Sequence, residues 1–198
     1  MNPAQASELA AHPPSDRALP IGKMGIWWFL ASEIVTFGGL IGAYVIYFWG
    51  SERIVEPATH LSVPFGAVNT LVLLTSSLTM VLAFATAEKG DERGTRRWLS
   101  WTVLLGLAFL VIKGFEWGSE IASGFTPAEG IFWSFYYTMT GLHALHVLGG
   151  VVVNALLLRA AVSRGLHTVE GRIEYAGLYW HFVDVVWIFL FPLLYLTG

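Results

Sequence analysis

Five long apolar segments constrain this chain more than any other feature of its sequence. They cover approximately residues 24–49, 65–87, 98–121, 131–158 and 177–196. An α-helix needs about 20 apolar residues to cross the hydrocarbon core of a bilayer. Backbone groups in lipid must be hydrogen-bonded within their own segment, so each segment is predicted to be an α-helix. The sequence therefore predicts an all-α, polytopic membrane protein. Its five transmembrane helices form one domain over residues 23–198, after a polar N-terminal tail at residues 1–22.

Composition agrees with this prediction and excludes several kinds of site and partner. The chain is 55% hydrophobic and 13% charged, which is too apolar for a soluble domain of 198 residues. It contains no cysteine, which excludes disulfides, iron–sulfur clusters and thiolate copper centres within the chain. A net charge of -3 argues against nucleic acid as a partner.

The basic residues predict the orientation of the bundle. Of the eleven lysines and arginines, nine precede the first segment or lie between the second and third or the fourth and fifth, on one side of the membrane. Arg53 alone falls on the other side, and Lys113 lies inside the third segment. Because basic loops remain in the cytoplasm, the N-terminus is predicted to be cytoplasmic and the C-terminus outside. The predicted location is a bacterial cytoplasmic (inner) membrane.

Ionisable side chains inside the segments are the candidate functional residues, since charge in lipid is costly. A helix rises about 1.5 Å per residue, so the depth of each residue in the membrane can be estimated by counting along its helix. One set is expected to form a layer in the cytoplasmic half of the membrane, and its members are Glu33, His143, His146, His181 and Asp184. His181 and Asp184 are three residues apart and can partner each other on one helix face. Glu33 is predicted to be protonated or to share a hydrogen bond, with His146 and the His181/Asp184 face as its partners.

A second polar set, Asn69, Lys113 and Glu116, is expected in the outer half of the membrane. Lys113 and Glu116 are three residues apart and can neutralise each other.

Glycine pairs are a further feature of the spans. The pairs are Gly38 with Gly42, and Gly114 with Gly118. They either mark small-residue faces where helices pack or reflect the general enrichment of glycine in membrane helices.

Three interpretations of the inner layer remain open on these residues alone. Buried polar groups can be a hydrogen-bonded connection between helices, or a site that exchanges protons. His143 and His146 also have the spacing of two metal ligands on one helix. A di-iron site would need more carboxylates, and a bis-histidine haem would need a histidine opposite, where only His181 is available. A metal site is therefore the least favoured of the three interpretations. An accessory subunit, a proton-coupled transporter and a stand-alone membrane metalloenzyme all remain compatible with it.

Six motifs occur in order along the chain. They are Trp28-Phe29-Leu30-Ala31-Ser32-Glu33, Asn69-Thr70 with the serines that follow, Ala87-Glu88-Lys89-Gly90-Asp91, Glu116-Trp117, Gly141-Leu142-His143-Ala144-Leu145-His146-Val147, and Tyr179-Trp180-His181-Phe182-Val183-Asp184. Together they resemble subunit III of the haem–copper respiratory oxidases, the cytochrome c oxidase family, from about Trp27 to Leu196. Mitochondrial members carry two additional N-terminal helices, so the likeness is to the short five-helix bacterial form.

The resemblance implies a function that the residues alone do not. It implies an accessory subunit without haem or copper, packed beside the catalytic subunit I, which holds both, and beside other oxidase subunits. The complex would reduce oxygen and translocate protons, and this chain would sustain proton uptake and stability. The expected complex is of the cytochrome c oxidase type, and the choice of electron donor, cytochrome c or quinol, stays open. Subunit III-like components of quinol oxidases and of nitric oxide reductases are the alternatives.

The family's lipid-filled cleft implies a bound phospholipid. Residues expected at the cytoplasmic headgroup level are Trp27, Trp28, Arg96, Arg97 and Arg164. Arginine can hold a phosphate through two hydrogen bonds, and tryptophan prefers the membrane interface. The same residues also fit an ordinary interfacial belt beside basic loops. Both interpretations stay open at the level of sequence.

Overall fold

The computed structural model describes residues 21–48 and 58–196, which form five long helices. They are α1 Ile21–Phe48, α2 Val63–Glu88, α3 Glu92–Ala122, α4 Ile131–Arg164 and α5 Glu170–Tyr195, with a short 3-10 turn at Leu166–Thr168 before α5. All five are long and apolar enough to cross a membrane. The predicted all-α bundle of five spans is therefore confirmed. Residues 1–20 of the predicted tail and the loop that contains Arg53 lie outside the described residues, and the orientation of the termini stays a prediction.

The helices extend beyond the predicted spans where charged residues begin. α3 starts at Glu92 rather than near residue 98, and α4 continues to Arg164 rather than ending near residue 158. At the start of α3 the Asp91 carboxylate caps the helix by accepting a hydrogen bond from the Gly94 amide at 3.0 Å. Glu92 and Arg96 pair one turn apart at 2.8 Å. Hydropathy marks where the hydrocarbon ends, whereas capping and helical ion pairs prolong the helix into the headgroup region.

The fifth helix is the centre of the bundle and the first is its periphery. α5 packs against α2 and α4, α3 packs against α2 and α4, and α1 contacts mainly α5 and α4. Within its most apolar window, 44% of α5 is buried, compared with 17% for α1. Most of the surface of α1 therefore faces the surroundings of the bundle, which in a membrane are lipid or another protein.

Trp180 lies where α2, α3, α4 and α5 approach each other. Its side chain is fully buried, and its indole N–H donates to the Ser76 hydroxyl at 3.1 Å. Two glycines make room for the ring. A Cβ atom at Gly150 would lie 2.5 Å from the Trp180 ring, and one at Gly106 would lie 2.8 Å from it and 2.6 Å from Val151. Since real Cβ contacts are never this short, these two glycines are required for the packing of α3, α4 and α5.

The glycine pairs singled out from the sequence have a different environment. A Cβ atom at Gly38, Gly42, Gly114 or Gly118 would meet nothing within 4 Å. Of the two alternatives left open by the sequence, general enrichment of glycine therefore fits these four positions, and packing of helices within the described residues does not. The four-residue spacing identifies a smooth helix face, but it cannot tell whether that face is turned into the bundle or away from it.

Candidate functional site

Glu33 of α1 and His146 of α4 form a pair between the peripheral helix and the core. The Glu33 Oε2 and His146 Nε2 atoms are 3.0 Å apart, and each side chain is 15% exposed. The other imidazole nitrogen, Nδ1, donates to the Leu142 carbonyl at 2.8 Å, because a carbonyl can only accept. The hydrogen bond between Nε2 and Oε2 therefore needs one further proton. Either a protonated Glu33 donates it to a neutral imidazole, or an imidazolium donates it to the carboxylate.

Two neighbouring rings position this pair. The Phe37 ring meets the His146 imidazole edge-on at a centroid distance of 5.3 Å. The Tyr179 hydroxyl of α5 donates to the His146 backbone carbonyl at 2.8 Å. Three helices thus fix the imidazole, while the partial exposure leaves the carboxyl within reach of the surroundings. The geometry suits a group that shares or exchanges a proton.

His181 and Asp184 do not join Glu33. His181 Nδ1 is hydrogen-bonded at 2.6 Å to the hydroxyl of Ser77 on α2. Asp184 is 3% exposed and has Ser77 as a polar neighbour, but neither carboxyl oxygen has a hydrogen-bonding partner among residues 21–48 and 58–196. The expectations that His181 pairs with Asp184, and that both face Glu33, are therefore wrong. The residues were placed at similar depths, but depth does not specify the side of the helix on which a residue lies.

His143 is separated from the pair although it is only three residues from His146. Its fully buried ring stacks on Trp187 at 5.2 Å and meets Phe109 edge-on at 5.6 Å. Neither ring nitrogen has a hydrogen-bonding partner within the described ranges. The two histidines thus have different surroundings. Across the part of the chain that the structure describes, no three or more His, Asp or Glu side chains are grouped so that they could hold a metal ion.

The predicted outer ion pair is part of a larger network, the Lys113 cluster, formed by Lys113, Glu116, Tyr136 and Tyr195. Lys113 Nζ lies 3.1 Å from Glu116 Oε1, 3.0 Å from the Tyr136 hydroxyl and 2.5 Å from the Tyr195 hydroxyl. Both tyrosines donate to the same carboxylate oxygen, Tyr136 at 2.7 Å. The side chains of Lys113 and Glu116 are each 1% exposed. The ammonium donates all three of its protons to partners within the cluster, so the cluster is closed around this cation as well as buried.

Aromatic faces complete the surroundings of the ammonium. Lys113 Nζ lies 4.7 Å from the centroid of Tyr136, 5.2 Å from that of Tyr195 and 5.4 Å from that of Trp187. Such contacts stabilise a cation that has lost its water. Asn69, predicted with this group, is fully buried, but its amide has no hydrogen-bonding partner among the described residues. The structure therefore brings Lys113 and Glu116 together and leaves Asn69 out of their hydrogen bonds.

Sequence reasoning missed the two tyrosines of this cluster. Tyr136 lies seven residues before His143, so the two are on one face of α4 after two turns. That spacing could have identified Tyr136 as a buried hydroxyl. Tyr195 is at the last turn of α5 and looks like an interfacial aromatic residue. Nothing in its local sequence indicates that it reaches α3.

The residues predicted to bind a lipid headgroup do not gather in one place. Trp27 and Trp28 are 56% and 76% exposed and line a surface hollow of about 390 Å³ on α1. Arg96, on α3, donates to Glu92 and to the Ala161 carbonyl, while Arg97 lies 4.9 Å from the ring of Trp98. The fifth predicted residue, Arg164, lines a separate hollow of about 320 Å³ at the end of α4. Since α1 packs on α4 and α5 rather than on α3, the predicted headgroup site is not assembled.

A groove between α1, α4 and α5 is a better candidate for lipid. It has a volume of about 400 Å³, and its apolar walls include Ile26 and Phe29 of α1 and Val153 of α4. Arg172 and Tyr175 of α5 lie at its end. A nearby ion pair between Lys23 and Glu174, at 2.8 Å, ties α1 to α5. The groove joins an apolar channel to one cation, which matches the chemistry of a phospholipid.

Comparison with known proteins identifies the family. The family model for cytochrome c oxidase subunit III matches residues 17–198. The chain is 38% identical over 180 residues to cytochrome c oxidase subunit 3 of Corynebacterium diphtheriae, which covers 87% of this chain and 86% of the relative. It is 36% identical over 197 residues to the protein of the same name from Alkalihalophilus pseudofirmus, covering 96% and 94%. It is also 34% identical over 175 residues to cytochrome bo(3) ubiquinol oxidase subunit 3 of Pseudomonas aeruginosa, covering 88% and 84%.

These matches extend over nearly the whole chain, and the relatives are of similar length. The resemblance predicted from six motifs is thereby confirmed, and three of the motifs contain residues of the two polar sites. Glu33 and His146 belong to the first and fifth motifs, and Glu116 belongs to the fourth. This five-helix membrane protein belongs to the cytochrome c oxidase subunit III family.

Proposed function

We propose that the chain is the accessory subunit III of a bacterial haem–copper terminal oxidase of the cytochrome c type. It would lie in the cytoplasmic membrane beside the catalytic subunit I, which would supply the haem and copper chemistry. The family match over residues 17–198 is the observation that carries this proposal. The bacterial sources of the similar proteins and the five membrane-spanning helices support the location.

Cytochrome c is the proposed electron donor because the relatives at 38% and 36% identity are both named cytochrome c oxidase subunit 3. A quinol oxidase is the second candidate, favoured by the relative named as a ubiquinol oxidase subunit at 34% identity. The difference in identity is small. Donor choice therefore has to be measured on the assembled complex.

The test is to purify the tagged chain from its native membranes in mild detergent. We expect it to bring along a haem-bearing partner that consumes oxygen with reduced cytochrome c. Consumption with ubiquinol but not with cytochrome c would replace the first candidate by the second. Purification of the intact, folded chain without a haem protein, in detergents that preserve other respiratory complexes, would contradict the proposal.

Within this function, we propose that the Glu33–His146 pair shares its proton in support of proton uptake by the catalytic subunit. The pair is mostly buried, connects the peripheral helix to the core and needs one proton in either form. Proton uptake by the complex is the quantity that it would affect.

We also propose that the groove between α1, α4 and α5 holds a phospholipid, with its phosphate at Arg172. The apolar walls fit acyl chains, and arginine binds phosphate well. Mass spectrometry of the purified complex should find less retained phospholipid after Arg172→Ala. Arg93→Ala is the control, because Arg93 is exposed on another helix. Equal lipid retention in both variants would contradict this assignment.

A further inference from the structure

The carboxyl group of Glu120 connects the buried Lys113 cluster to the end of the bundle at which α3 ends and α4 begins. Glu120 lies one helical turn after Glu116 on α3, and it is 7% exposed. Its backbone carbonyl accepts a hydrogen bond from the Phe125 amide at 3.0 Å. His60 is exposed, and its ring lies against Phe125 at 4.5 Å. His60 thus lies at the end of α3 that carries Glu120, one helical turn from the cluster.

The charges of this region do not balance if every acid is ionised. Lys113 is the one buried cation on α3 here, and it faces two buried carboxyl groups, Glu116 and Glu120. His143 of α4 stacks on Trp187, over which Lys113 also lies, and a second cation beside the ammonium would be repelled. The neighbouring hydroxyls of Tyr136 and Tyr195, which donate to Glu116, and of Tyr137, which donates to the Phe125 carbonyl, belong to neutral phenols. An uncompensated charge at this burial is costly.

The hydrogen bonds indicate which carboxyl group remains ionised. Glu116 Oε1 accepts from Lys113, Tyr136 and Tyr195, and three such donors favour its charged form. Glu116 Oε2, in contrast, has no hydrogen-bonding partner among the described residues, although Glu116 is 1% exposed. The second acid, Glu120, is then the group that takes up the extra proton. The free oxygen of Glu116 is an acceptor one turn away.

We propose that Glu120 and Glu116 form a proton-binding site that opens to the α3–α4 end of the bundle and is distinct from the Glu33–His146 pair. Glu120 holds the proton and exchanges it with water at this end of the bundle. Lys113 balances the charge of Glu116 and prevents a second proton from binding there. The site does not depend on which oxidase the chain serves.

Infrared spectroscopy of the purified full-length protein, with the partners that it retains, tests the proposal. A protonated carboxyl group has its own carbonyl-stretching band, which shifts in D₂O if the proton exchanges. We expect Glu120→Gln to remove band intensity equal to one carboxyl group, and Glu129→Gln to leave the band unchanged. Glu129 is the matched control because it is exposed at the same end of the bundle. An unchanged band in folded Glu120→Gln would overturn the proposal.

Two further measurements keep the test independent of folding defects. Lys113→Met removes the balancing cation, so the band should gain one carboxyl group. If that variant does not fold, the unmodified chain is labelled with isotopic glutamate instead. The spectrum must then show one exchangeable protonated glutamic acid in addition to Glu33, whose own band is identified by its loss in Glu33→Gln. Absence of this second acid would overturn the proposal.

The direction of access is tested in sealed vesicles with a water-soluble carbodiimide and an impermeant amine. Carbodiimides react with protonated carboxyl groups, and mass spectrometry locates the product. Since α5 ends at the same end of the bundle as α3, a tag after residue 198 marks the expected side. We expect Glu120 to be labelled from the tagged side. Labelling from the opposite side alone would refute the proposed opening.

Discussion

The Glu33–His146 pair and the Lys113 cluster place ionisable groups inside the same bundle in two different ways. The pair has two side chains from two helices, each 15% exposed. The cluster has four side chains from three helices, and its lysine and glutamate are 1% exposed. A partly exposed pair keeps access to the surroundings of the bundle. A closed cluster at full burial cannot lose a member without leaving a charge or a hydroxyl unpaired.

The comparison predicts that Glu116→Ala has the largest effect on stability. It removes the acceptor shared by Lys113, Tyr136 and Tyr195 and leaves a buried ammonium uncompensated. We expect a loss of about 3–5 kcal/mol in the free energy of unfolding. Thermal unfolding of the purified chain in detergent measures it. Glu129→Ala is the control, and the double variant Lys113→Met/Glu116→Leu should recover most of the loss. A loss below about 1 kcal/mol would show that the cluster is not closed.

Tyr195→Phe sharpens the comparison because it removes one hydroxyl and leaves the charges in place. The hydroxyl donates to Glu116 and accepts from Lys113, so one proton of the ammonium loses its partner. The expected loss is about 1–3 kcal/mol in the same unfolding measurement. Tyr47→Phe is the matched control, since Tyr47 is 47% exposed on α1. Equal effects of the two substitutions would contradict the network.

Glu33→Gln should have the smallest effect on stability and a separate effect on function. The amide can still donate to His146 Nε2, so the free energy of unfolding should change by less than about 1 kcal/mol. The exchangeable proton is lost, however, and proton uptake by the complex should slow. Glu88→Gln, at an exposed position near the end of α2, is the control. If proton uptake is unaffected, the pair only connects α1 to α4.

The sequence predicted the features that depend on composition along the chain. Hydropathy located the five helices, and counting along them placed Glu33 and His146 at depths where the two now meet. The i, i+3 spacing predicted the Lys113–Glu116 contact. In each case a local rule, helix rise or helix periodicity, was sufficient.

The features that the sequence did not predict depend on the rotation of each helix about its own axis. His181 faces Ser77 on α2 instead of Glu33, and Tyr195 crosses to α3. Gly106 and Gly150 pack around Trp180, whereas a Cβ atom at Gly38 or Gly42 would meet nothing within 4 Å. In a membrane helix the pattern of apolar residues does not indicate which face is turned to the core, because lipid-facing and core-facing side chains are both hydrophobic. Rotation about the helix axis is set by tertiary packing.

The slot that holds Trp180 has a consequence for the biogenesis of the protein. The chain is synthesised from its N-terminus, so α2, α3 and α4 enter the membrane before α5. Ser76, Gly106 and Gly150 are then in place before the ring that they receive. Of the five described helices, α5 is made after the other four and is also the most buried, and its insertion fills the slot. A side chain that occupies the slot would therefore block the docking of α5 while the earlier helices remain inserted.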